Sequence, residues 1–439
     1  MNMASAHEHA GLASGEDMHA FASSLFPICR SLTGNGVRET LRRITDRLPA
    51  LVVHEVPSGT QAFDWTVPNE WNVRGAYIED PAGQRIVDFV NNNLHVVGYS
   101  TAIDTTMGLD ELQEHLHSLP DQPDVIPYVT SYYKESWGFC LPHTLRQSLR
   151  PGRYRVVIDA DLEPGHLTYG EAIIPGSSSD EILLSTYVCH PSMANNELSG
   201  PVIATFLAQW LREERRKYTY RILFVPETIG TLVYLSKNLP ELKGNVRAGF
   251  VLTCCGDDGP FSYMPSRTGT TYADKVALRV LSSHAPNFVK YSFGQRGSDE
   301  RQYCSPLVDL PVCSIMRSKY HEYPQYHTSA DDLNFVTSSG LRRTLEVYAA
   351  LIAEIEANDI PRAVFHGEPQ LGKRGLYPTT GGQIDQASIG AIVDLLALAD
   401  GTNDLKEMAA LTGHDLKALE SACATLIDHG LLTSNSSRH

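Results

Sequence analysis

The chain has 439 residues, of which 42% are hydrophobic and 20% are charged, and its formal net charge is −15 at pH 7. This length is too great for one ordinary domain and predicts two or three domains with material for a large core. The acidic balance argues against non-specific binding to nucleic acid or to anionic membranes, because attraction to phosphate requires Lys and Arg.

The cellular compartment can also be predicted from composition. The eight cysteines are scattered and form no CxxC pair, which favours reduced thiols over a disulfide framework. The stretch MNMASAHEHAGLASGEDMHAF lacks the basic segment and the apolar core of a signal peptide. The apolar run at residues 389–398 is interrupted by Asp394 and is too short to span a bilayer. We therefore expect a soluble, cytoplasmic protein with no membrane partner.

The first third of the chain divides into a helical and a β-rich part. Residues 18–48 have helical periodicity, interrupted by the turn SLTGNG. Residues 51–153 alternate apolar and polar residues and contain many turn residues, which predicts a β-rich subdomain with a short helical piece at residues 111–116.

From residue 154 onward the pattern is that of an α/β protein. YRVVIDADL and LTYGEAIIPG predict a hairpin, after which strands alternate with helices up to a long closing helix at residues 339–357. This alternation predicts a mostly parallel sheet covered on both faces. Short apolar segments such as EILLSTYV and RILFV are typical of buried parallel strands.

The C-terminal part has the spacing of a winged-helix-like unit. The linker GEPQLGKRGLYPTTGG is followed by three short helices and by HGLLT, which would lead into a small wing. DNA binding is one function of such units. However, the candidate recognition helix DLKALESACATLIDHG has one Lys against three acidic residues. This favours a packing or dimerisation module, with no nucleic acid bound.

Sites in open α/β sheets form at the carboxyl ends of the strands, and polar residues follow two strands here. His190 follows EILLSTYV, where a His suits metal ligation, although a structural His is the commoner outcome. Asn195, Asn196 and Glu197 open the next helix, where an N-cap and a first-turn acid would also explain them. Glu227 follows RILFVP and could be a general base, a ligand or a helix cap.

Three further segments carry candidate groups. Asp257 and Asp258 follow a third strand and could ligate a metal or occupy a turn. The loop GSDERQY concentrates polar residues at residues 297–303. In YPQYHTSADD, His327 lies between aromatic and acidic residues, as expected of a second loop ligand with acidic neighbours.

The order of these features resembles the co-catalytic zinc aminopeptidase and carboxypeptidase superfamily, with its phosphorylase/hydrolase-like α/β/α fold. The stretches STYVCHPSMANNELSGP, FVPETIG, GSDERQYCSP and YPQYHTSADDL are similar, more closely, to a bacterial family of aminopeptidase-like proteins. The resemblance implies an aminopeptidase-like core at residues 18–50 and 154–360. It also implies a β-rich insert domain at residues 51–153 and a winged-helix-like domain at residues 375–435.

The resemblance also implies roles for individual residues. His190 and His327 take the positions of zinc-ligand histidines, and Glu227 takes the position of the general base. Asp299 resembles an Asp that precedes a loop near the substrate pocket.

The sequence departs from the superfamily at three positions. Asn196 replaces the Asp that bridges two zinc ions, and Thr228 replaces the second Glu of a Glu-Glu pair. Thr253-Cys254 occupy the position of an Asp on the third strand. Because a neutral amide bridges two cations poorly, one Zn²⁺ is expected rather than two.

Two functions remain open. In the first, the protein is a zinc-dependent hydrolase in which His190, Glu197 and His327 hold the ion, with help from Asp257, and Glu227 moves the proton. The substrate would be a small amide or peptide with a free amine. Asp299 or Glu300 would hold the amine, Arg267, Arg301 and Arg317 could hold a carboxylate, and Asn196 is a further candidate for substrate binding.

The second function is a non-hydrolytic, metal-poor descendant of the fold that binds a small metabolite or acts in biosynthesis. The missing bridging Asp and second Glu motivate this alternative. A structural or partner-binding role of the winged-helix-like unit is a further alternative, and a homodimer is compatible with an acidic chain of this organisation.

Overall fold

The computed structural model describes residues 11–377 and 386–433. Its strands, in chain order, are β1 (Val52–Pro57), β2 (Gln61–Ala62), β3 (Trp65–Thr66), β4 (Glu70–Glu79), β5 (Arg85–Asp88), β6 (Ile103–Gly108), β7 (Leu116–His117), β8 (Phe139–Cys140), β9 (Arg153–Glu163), β10 (His166–Ile174), β11 (Glu181–Tyr187), β12 (Thr219–Val225), β13 (Val246–Val251), β14 (Ser262–Met264), β15 (Val289–Lys290), β16 (Val312–Met316), β17 (Arg362–Ala363) and β18 (Leu432–Thr433).

The helices follow the same order along the chain. They are α1 (Gly15–Leu25), α2 (Asn35–Arg47), α3 (Leu109–Gln113), α4 (His143–Ser148), α5 (Ser199–Leu211), α6 (Ile229–Asn245), α7 (Tyr272–His284), α8 (Glu300–Tyr303), α9 (Ser338–Ala357), α10 (Gln386–Leu398), α11 (Leu405–Thr412) and α12 (Leu416–Asp428), with a π-helical turn, Ala194–Leu198, before α5.

An eight-stranded sheet with the order β1-β10-β12-β11-β13-β16-β14-β15 forms the centre of the molecule. Its middle strands β12, β11, β13 and β16 are parallel, as expected, and antiparallel pairs occur toward both edges. All seven residues of β11 are buried. Helices α1, α2, α5, α7 and α9 pack on one face of the sheet, and α6 and the β-rich part of the chain pack on the other. The mostly parallel α/β core predicted from the sequence is confirmed.

A second sheet of four antiparallel strands, β5-β4-β9-β6, forms the β-rich part. Strand β9 buries alternate residues in the core of this β-rich part, namely Tyr154, Val156, Ile158 and Ala160. This period-2 pattern is typical of a strand with one buried face.

The predicted hairpin of β9 and β10 does not form. Strand β9 pairs with β4 and β6, whereas β10 pairs with β1 and β12 in the central sheet. The chain changes sheets between Glu163 and His166: β9 packs wholly in the core of the β-rich side, whereas β10, as a strand of the central sheet, contributes Leu167 and Tyr169 to that core and Ala172 and Ile174 to the core on the helix side. Strand β1, which lies in the range predicted for the insert, is an edge strand of the central sheet.

The C-terminal helices α10–α12 pack around a small core of their own, and β18 pairs with β17, which precedes them in the chain. The unit contacts the rest of the protein through Asp404, which pairs with Arg279, and Lys406, whose Nζ lies 2.7 Å from Glu354. Parts of the predicted linker and of the end of this unit, residues 378–385 and 434–435, lie outside the described residues.

Within residues 11–377 and 386–433, every helix is too short or too polar to cross a membrane.

Candidate functional site

The candidate site lies where the middle strands of the central sheet end. His190 comes three residues after β11 and Glu227 two residues after β12, and these two strands are neighbours in the sheet. The carboxyl ends of adjacent parallel strands meet at one edge, so the two side chains are brought together. Nε2 of His190 lies 3.7 Å from Oε2 of Glu227.

The other nitrogen of His190 faces a buried carboxylate. Nδ1 lies 2.9 Å from Oε2 of Glu197, whose Oε1 accepts a hydrogen bond from Nε of Arg30 at 3.2 Å. The side chains of Glu197 and Arg30 are fully buried. Burial alone would lower the pKa of His190, but the hydrogen bond to Glu197 and the charges of Glu197 and Glu227 raise it above its usual value.

Glu227 lies at the mouth of the site, and its side chain is 22% exposed. Its Oε1 accepts a hydrogen bond from Ser298 Oγ at 2.8 Å, and its backbone N–H donates to Cys189 Sγ at 3.1 Å. Burial raises the pKa of Glu227, although the charges of His190 and Arg301 and the bond from Ser298 oppose the shift. A raised pKa suits a carboxylate that takes up and releases a proton near neutral pH.

His327 completes the group from a distant loop. Its ring centroid lies 5.5 Å from that of His190, and Tyr128 contacts both rings edge-on at 5.1 and 5.3 Å. The ring stacks on Tyr326 at 3.9 Å. Burial and the charge of His190 lower the pKa of His327 to about 2, so its imidazole is neutral. Among the described residues, none forms a hydrogen bond with the buried Nε2 of His327.

Backbone pairing with the β-rich part of the chain positions His327. Tyr128 N–H donates to the carbonyl of His327 at 2.8 Å, and Ser329 N–H donates to Ile126 at 2.9 Å. His327 has φ = +56°, a left-handed conformation that is uncommon for residues other than Gly. The tertiary contacts therefore hold a backbone conformation that the local sequence disfavours.

Asn196 lies on the π-helical turn at the start of α5, and all five residues of this turn are buried. Its Nδ2 donates to the hydroxyl of Tyr187 at 2.8 Å, and its backbone N–H donates to Asp331 at 2.9 Å. Its Oδ1 is buried and accepts no hydrogen bond from any described residue. The Tyr187 hydroxyl also lies 2.6 Å from Oγ1 of Thr253, so neutral groups stand where the superfamily has carboxylates.

The described residues contain one group of three potential metal-ligating side chains whose ligand atoms lie within 4.8 Å of one another: Cys189, His190 and Glu197. This group lies on the Nδ1 side of His190, where Arg30 already neutralises Glu197. Burial raises the pKa of the Cys189 thiol, which keeps it protonated. The positive guanidinium and the protonated thiol disfavour a cation on this side. On the Nε2 side His190 faces Glu227 at 3.7 Å, and the neutral His327 ring lies next to it, so neither of these two obstacles is present there.

A cavity of about 230 Å³ opens beside Glu227. Its lining residues combine aromatic side chains of the β-rich part with polar groups of the core, and they are Leu32, Trp65, Tyr132, Tyr133, Cys189, Glu227, Thr228, Ile229, Arg301 and Gln302. A larger cavity of about 740 Å³ lies between α7 and α9. The charged groups of that cavity, Arg279, Glu354 and Lys406, pair with one another, so we place the chemistry at the smaller cavity.

Besides Asn196, the structure places four of the residues predicted from the sequence around this site. His190, Glu227 and His327 are brought together, and Arg301 lines the cavity. Glu197 was predicted as a metal ligand, but it lies behind His190 at Nδ1, where it orients the ring.

In Asp257, the second predicted carboxylate ligand, hydrogen bonds occupy both carboxylate oxygens. Its Oδ1 accepts from Gly259 N–H and Ser318 Oγ, and its Oδ2 accepts from Asn195 Nδ2 and Ser318 N–H. Four hydrogen bonds use the acceptor capacity of a carboxylate. The structure therefore gives Asp257 the role of holding loops together.

The two acids predicted to hold a substrate amine are buried. Asp299 is 1% exposed and Glu300 is 0% exposed. Asp299 Oδ1 accepts the backbone N–H of Thr228 at 2.8 Å. Glu300 accepts the N–H groups of Gly297 and Ser298 and the hydroxyl of Tyr320. Neither residue reaches the cavity wall.

Two of the arginines predicted to hold a carboxylate also lie elsewhere. Arg267 pairs with Asp309 at 2.8 Å on the surface. Arg317 is buried with its guanidinium 4.4 Å from the ring centroid of Phe261. Neither side chain lines the cavity beside Glu227.

Several residues of the site were not singled out from the sequence. Arg30, Tyr128, Ser298, Trp65 and Tyr133 contact the site or line its cavity. The aromatic run IPYVTSYY was the one available signal for Tyr128 and Tyr133. Arg30 and Trp65 lie in segments without any pattern typical of a site.

Comparisons with known proteins agree with this fold. The family DUF4910, a domain of unknown function, matches residues 19–358, and a winged helix-turn-helix family matches residues 359–434. A protein of Clostridium acetobutylicum is 45% identical over 418 residues, which cover 94% of this chain and 95% of that protein. It carries the provisional description of a polysaccharide biosynthesis protein with an aminopeptidase-like domain.

Solved structures show the same architecture. A crystal structure from Clostridium acetobutylicum, provisionally described as a peptidase, has a TM-score of 0.80 at 43% identity and covers 96% of both chains. The zinc aminopeptidase of Bacillus subtilis has a TM-score of 0.56 at 11% identity, with 78% of this chain and 95% of that chain covered. A peptidase M28 precursor from Shewanella amazonensis has a TM-score of 0.55 at 13% identity, with 79% and 94% covered.

The fold is therefore that of the zinc aminopeptidases with a C-terminal winged helix, and the resemblance inferred from the sequence is confirmed. The chain belongs to the DUF4910 family.

Proposed function

We propose that this protein is a metal-dependent amidohydrolase that uses one Zn²⁺ and cleaves a small amide bond with Glu227 as the general base. One observation carries the proposal. Oε2 of Glu227 faces Nε2 of His190 at 3.7 Å, while Glu197 holds the opposite nitrogen of the same ring at 2.9 Å. A carboxylate that fixes one imidazole nitrogen and leaves the other available for ligation is the usual support of a metal-ligating His.

Two further buried atoms of the site support the proposal of one such ion. Buried Nε2 of His327 and buried Oδ1 of Asn196 have no hydrogen-bond partner among the described residues, and leaving such atoms unpaired is costly. The neutral His327 presents a free lone pair. His190, His327 and Asn196 would hold the ion. Two ions are disfavoured because Asn196 and Thr228 supply no negative charge there.

The chemistry divides between the ion and the side chains. Bound Zn²⁺ supplies a Lewis acid that polarises a carbonyl and lowers the pKa of water. Glu227 takes a proton from the attacking water, whose oxygen forms a bond to the carbonyl carbon. When the C–N bond breaks, Glu227 delivers that proton to the leaving nitrogen. Ser298 orients the carboxylate through its 2.8 Å hydrogen bond to Oε1.

The proposal is tested by metal content and by a single substitution. We expect purified protein to bind one Zn²⁺ that a chelator removes together with amide hydrolysis. Glu227→Gln should retain the metal and lose about 10²- to 10⁴-fold in kcat. Glu420→Gln, an exposed Glu on α12, is the matched control and should retain the wild-type rate. A well-folded protein that binds no zinc, or a Glu227→Gln variant of wild-type activity, would refute the proposal.

A second candidate function is a biosynthetic one on an amino sugar. It is favoured by the description of the Clostridium relative as a polysaccharide biosynthesis protein and by the neutral residues at Asn196 and Thr228. A metal-free protein that binds an N-acetylated amino sugar as tightly as the zinc-loaded protein would favour this candidate.

A further inference from the structure

We infer that the substrate is an N-acylated compound that carries an anionic group, and not a peptide with a free amino terminus. The inference rests on the proposed amide hydrolysis and names the substrate class of the same site. It is carried by the charges and rings that line the 230 Å³ cavity beside Glu227.

The cavity has no group for a free ammonium. Glu227 is the only carboxylate among the described residues of its lining, and the proposed reaction needs that carboxylate for proton transfer. Asp299 and Glu300 are buried at 1% and 0% exposure, beneath the wall that Glu227 and Thr228 form. A substrate ammonium would instead face the guanidinium of Arg301, and like charges repel.

Arg301 has the properties of an anion-binding group. Its side chain lines the cavity and its residue is exposed. The guanidinium donates to the carbonyl of Ser298 at 3.1 Å and to Oγ1 of Thr228 at 3.0 Å, which fixes its direction. No carboxylate of the described residues lies within 4.0 Å of it, whereas Arg30, the other arginine of the site, pairs with Glu197. An oriented guanidinium without an acidic partner binds carboxylate or phosphate groups well.

The aromatic part of the cavity lining suits a ring. Trp65 and Tyr133 remain 42% and 57% exposed, and their ring centroids lie 6.2 Å apart at an angle of 55°. The Tyr133 hydroxyl donates to the carbonyl of Thr66 at 2.8 Å, which fixes this ring beside β3. Exposed aromatic faces at a cavity rim stabilise a bound apolar ring face by burying it.

An acylated amine with a nearby anion occurs in two kinds of compound. In an N-acyl amino acid the anion is a carboxylate, and in an N-acyl amino-sugar phosphate it is a phosphate. Both present an amide to Glu227 and an anion to Arg301. The sugar, or the side chain of an aromatic amino acid, presents a ring to Trp65. The cavity therefore favours what the two kinds of compound share, an acylated amine with a nearby anion. The experiment compares the two kinds of compound directly.

The experiment measures binding without turnover. Zinc-loaded Glu227→Gln protein is titrated calorimetrically with N-acetylphenylalanine, with N-acetylglucosamine 1-phosphate and with phenylalaninamide, which has a free amine and no anion. We expect at least one acylated anion to bind at least tenfold more tightly than phenylalaninamide. Adding Arg301→Ala should weaken that binding at least tenfold, and adding Trp65→Ala should weaken it in the same direction. Arg215→Ala, an exposed arginine beyond α5, is the matched control.

The outcomes separate this inference from the proposed function. Tighter binding of phenylalaninamide, binding of neither acylated anion, or an unchanged affinity after Arg301→Ala overturns the inference. If the acylated anion binds through Arg301 but wild-type protein hydrolyses none of the three probes, the substrate class stands and the hydrolytic function fails.

Discussion

The carboxylate of Asp299 accepts the backbone N–H of Thr228 at 2.8 Å and so holds the turn that carries Glu227. Thr228 has φ = 63° and ψ = −75°, and the N–H of Ile229 donates to the carbonyl of Glu227 at 2.8 Å. These values define a γ-turn of the rare, strained kind, in which a β-branched residue is especially unfavourable. Ser298, the neighbour of Asp299, binds the Glu227 side chain. The loop of residues 297–303 thus positions the proposed base.

Removing the Asp299 carboxylate should misplace Glu227. We expect Asp299→Ala to lower kcat about ten- to hundredfold with a smaller change in KM, because a small displacement of a catalytic group is costly. Asp299→Asn retains an oxygen that can accept the Thr228 N–H and should keep most of the activity. Steady-state kinetics of the two variants provides the check, and equal losses in both would show that accepting the Thr228 N–H is not what Asp299 contributes.

The pH dependence of stability should report the burial of Asp299. Burial and the charge of Glu227 raise the pKa of Asp299 to about 8, above its value of about 3.9 in an unfolded chain. Between these values the folded state holds a proton that the unfolded state releases. The free energy of unfolding therefore falls as pH rises from about 4 to about 8.

Comparing the metal-free wild type with the metal-free Asp299→Asn variant isolates this contribution. Asp299→Asn has no titrating group at this position. Its urea denaturation midpoint, relative to that of the wild type, should therefore increase as the pH rises between the unfolded and folded pKa values of Asp299. Urea unfolding at several pH values measures the difference. Curves that remain parallel from pH 5 to pH 8 would contradict the assigned pKa.

Glu197 should support both the fold and the metal. Glu197→Ala leaves the fully buried Arg30 without its acidic partner, and an uncompensated buried charge costs about 3–5 kcal/mol. The ring of His190 also loses the group that orients it, which should weaken zinc binding about 10- to 100-fold. Denaturant unfolding and chelator competition measure the two effects. The double variant Arg30→Met/Glu197→Ala should recover stability without recovering metal affinity, and recovery of both would show that Glu197 acts only through Arg30.

The winged helix should be released from the core by a change at Asp404. This fully buried residue caps α11 by accepting the N–H of Glu407 at 2.8 Å, and it also pairs with Arg279 of α7. Asp404→Ala should therefore speed the proteolytic release of the C-terminal unit. Asp415→Ala is a matched control, since Asp415 caps α12 at Lys417 N–H but pairs with no described residue of the core. Equal release rates in the two variants would assign the effect to helix capping alone.

Much of the architecture could be predicted from the sequence because the signals are local. The apolar runs that form β11 and β12 are buried over nearly their whole length, so the polar residues that follow them, His190 and Glu227, had to lie at one sheet edge. The prediction of a β9–β10 hairpin was wrong because it, too, used only local signals. Its two segments have strand patterns, but a pattern does not say which sheet each strand joins.

The sequence by itself determined the α/β core, the terminal winged helix and three residues of the site, His190, Glu227 and His327. Only the tertiary structure shows what Glu197 contacts, because its place in the chain fits a first-turn helix acid as well as a metal ligand. Arg30, in the loop between α1 and α2 and 167 residues away in sequence, pairs with the buried Glu197 in the folded chain. Long-range contacts of this kind depend on packing that brings distant segments together, which no local pattern encodes.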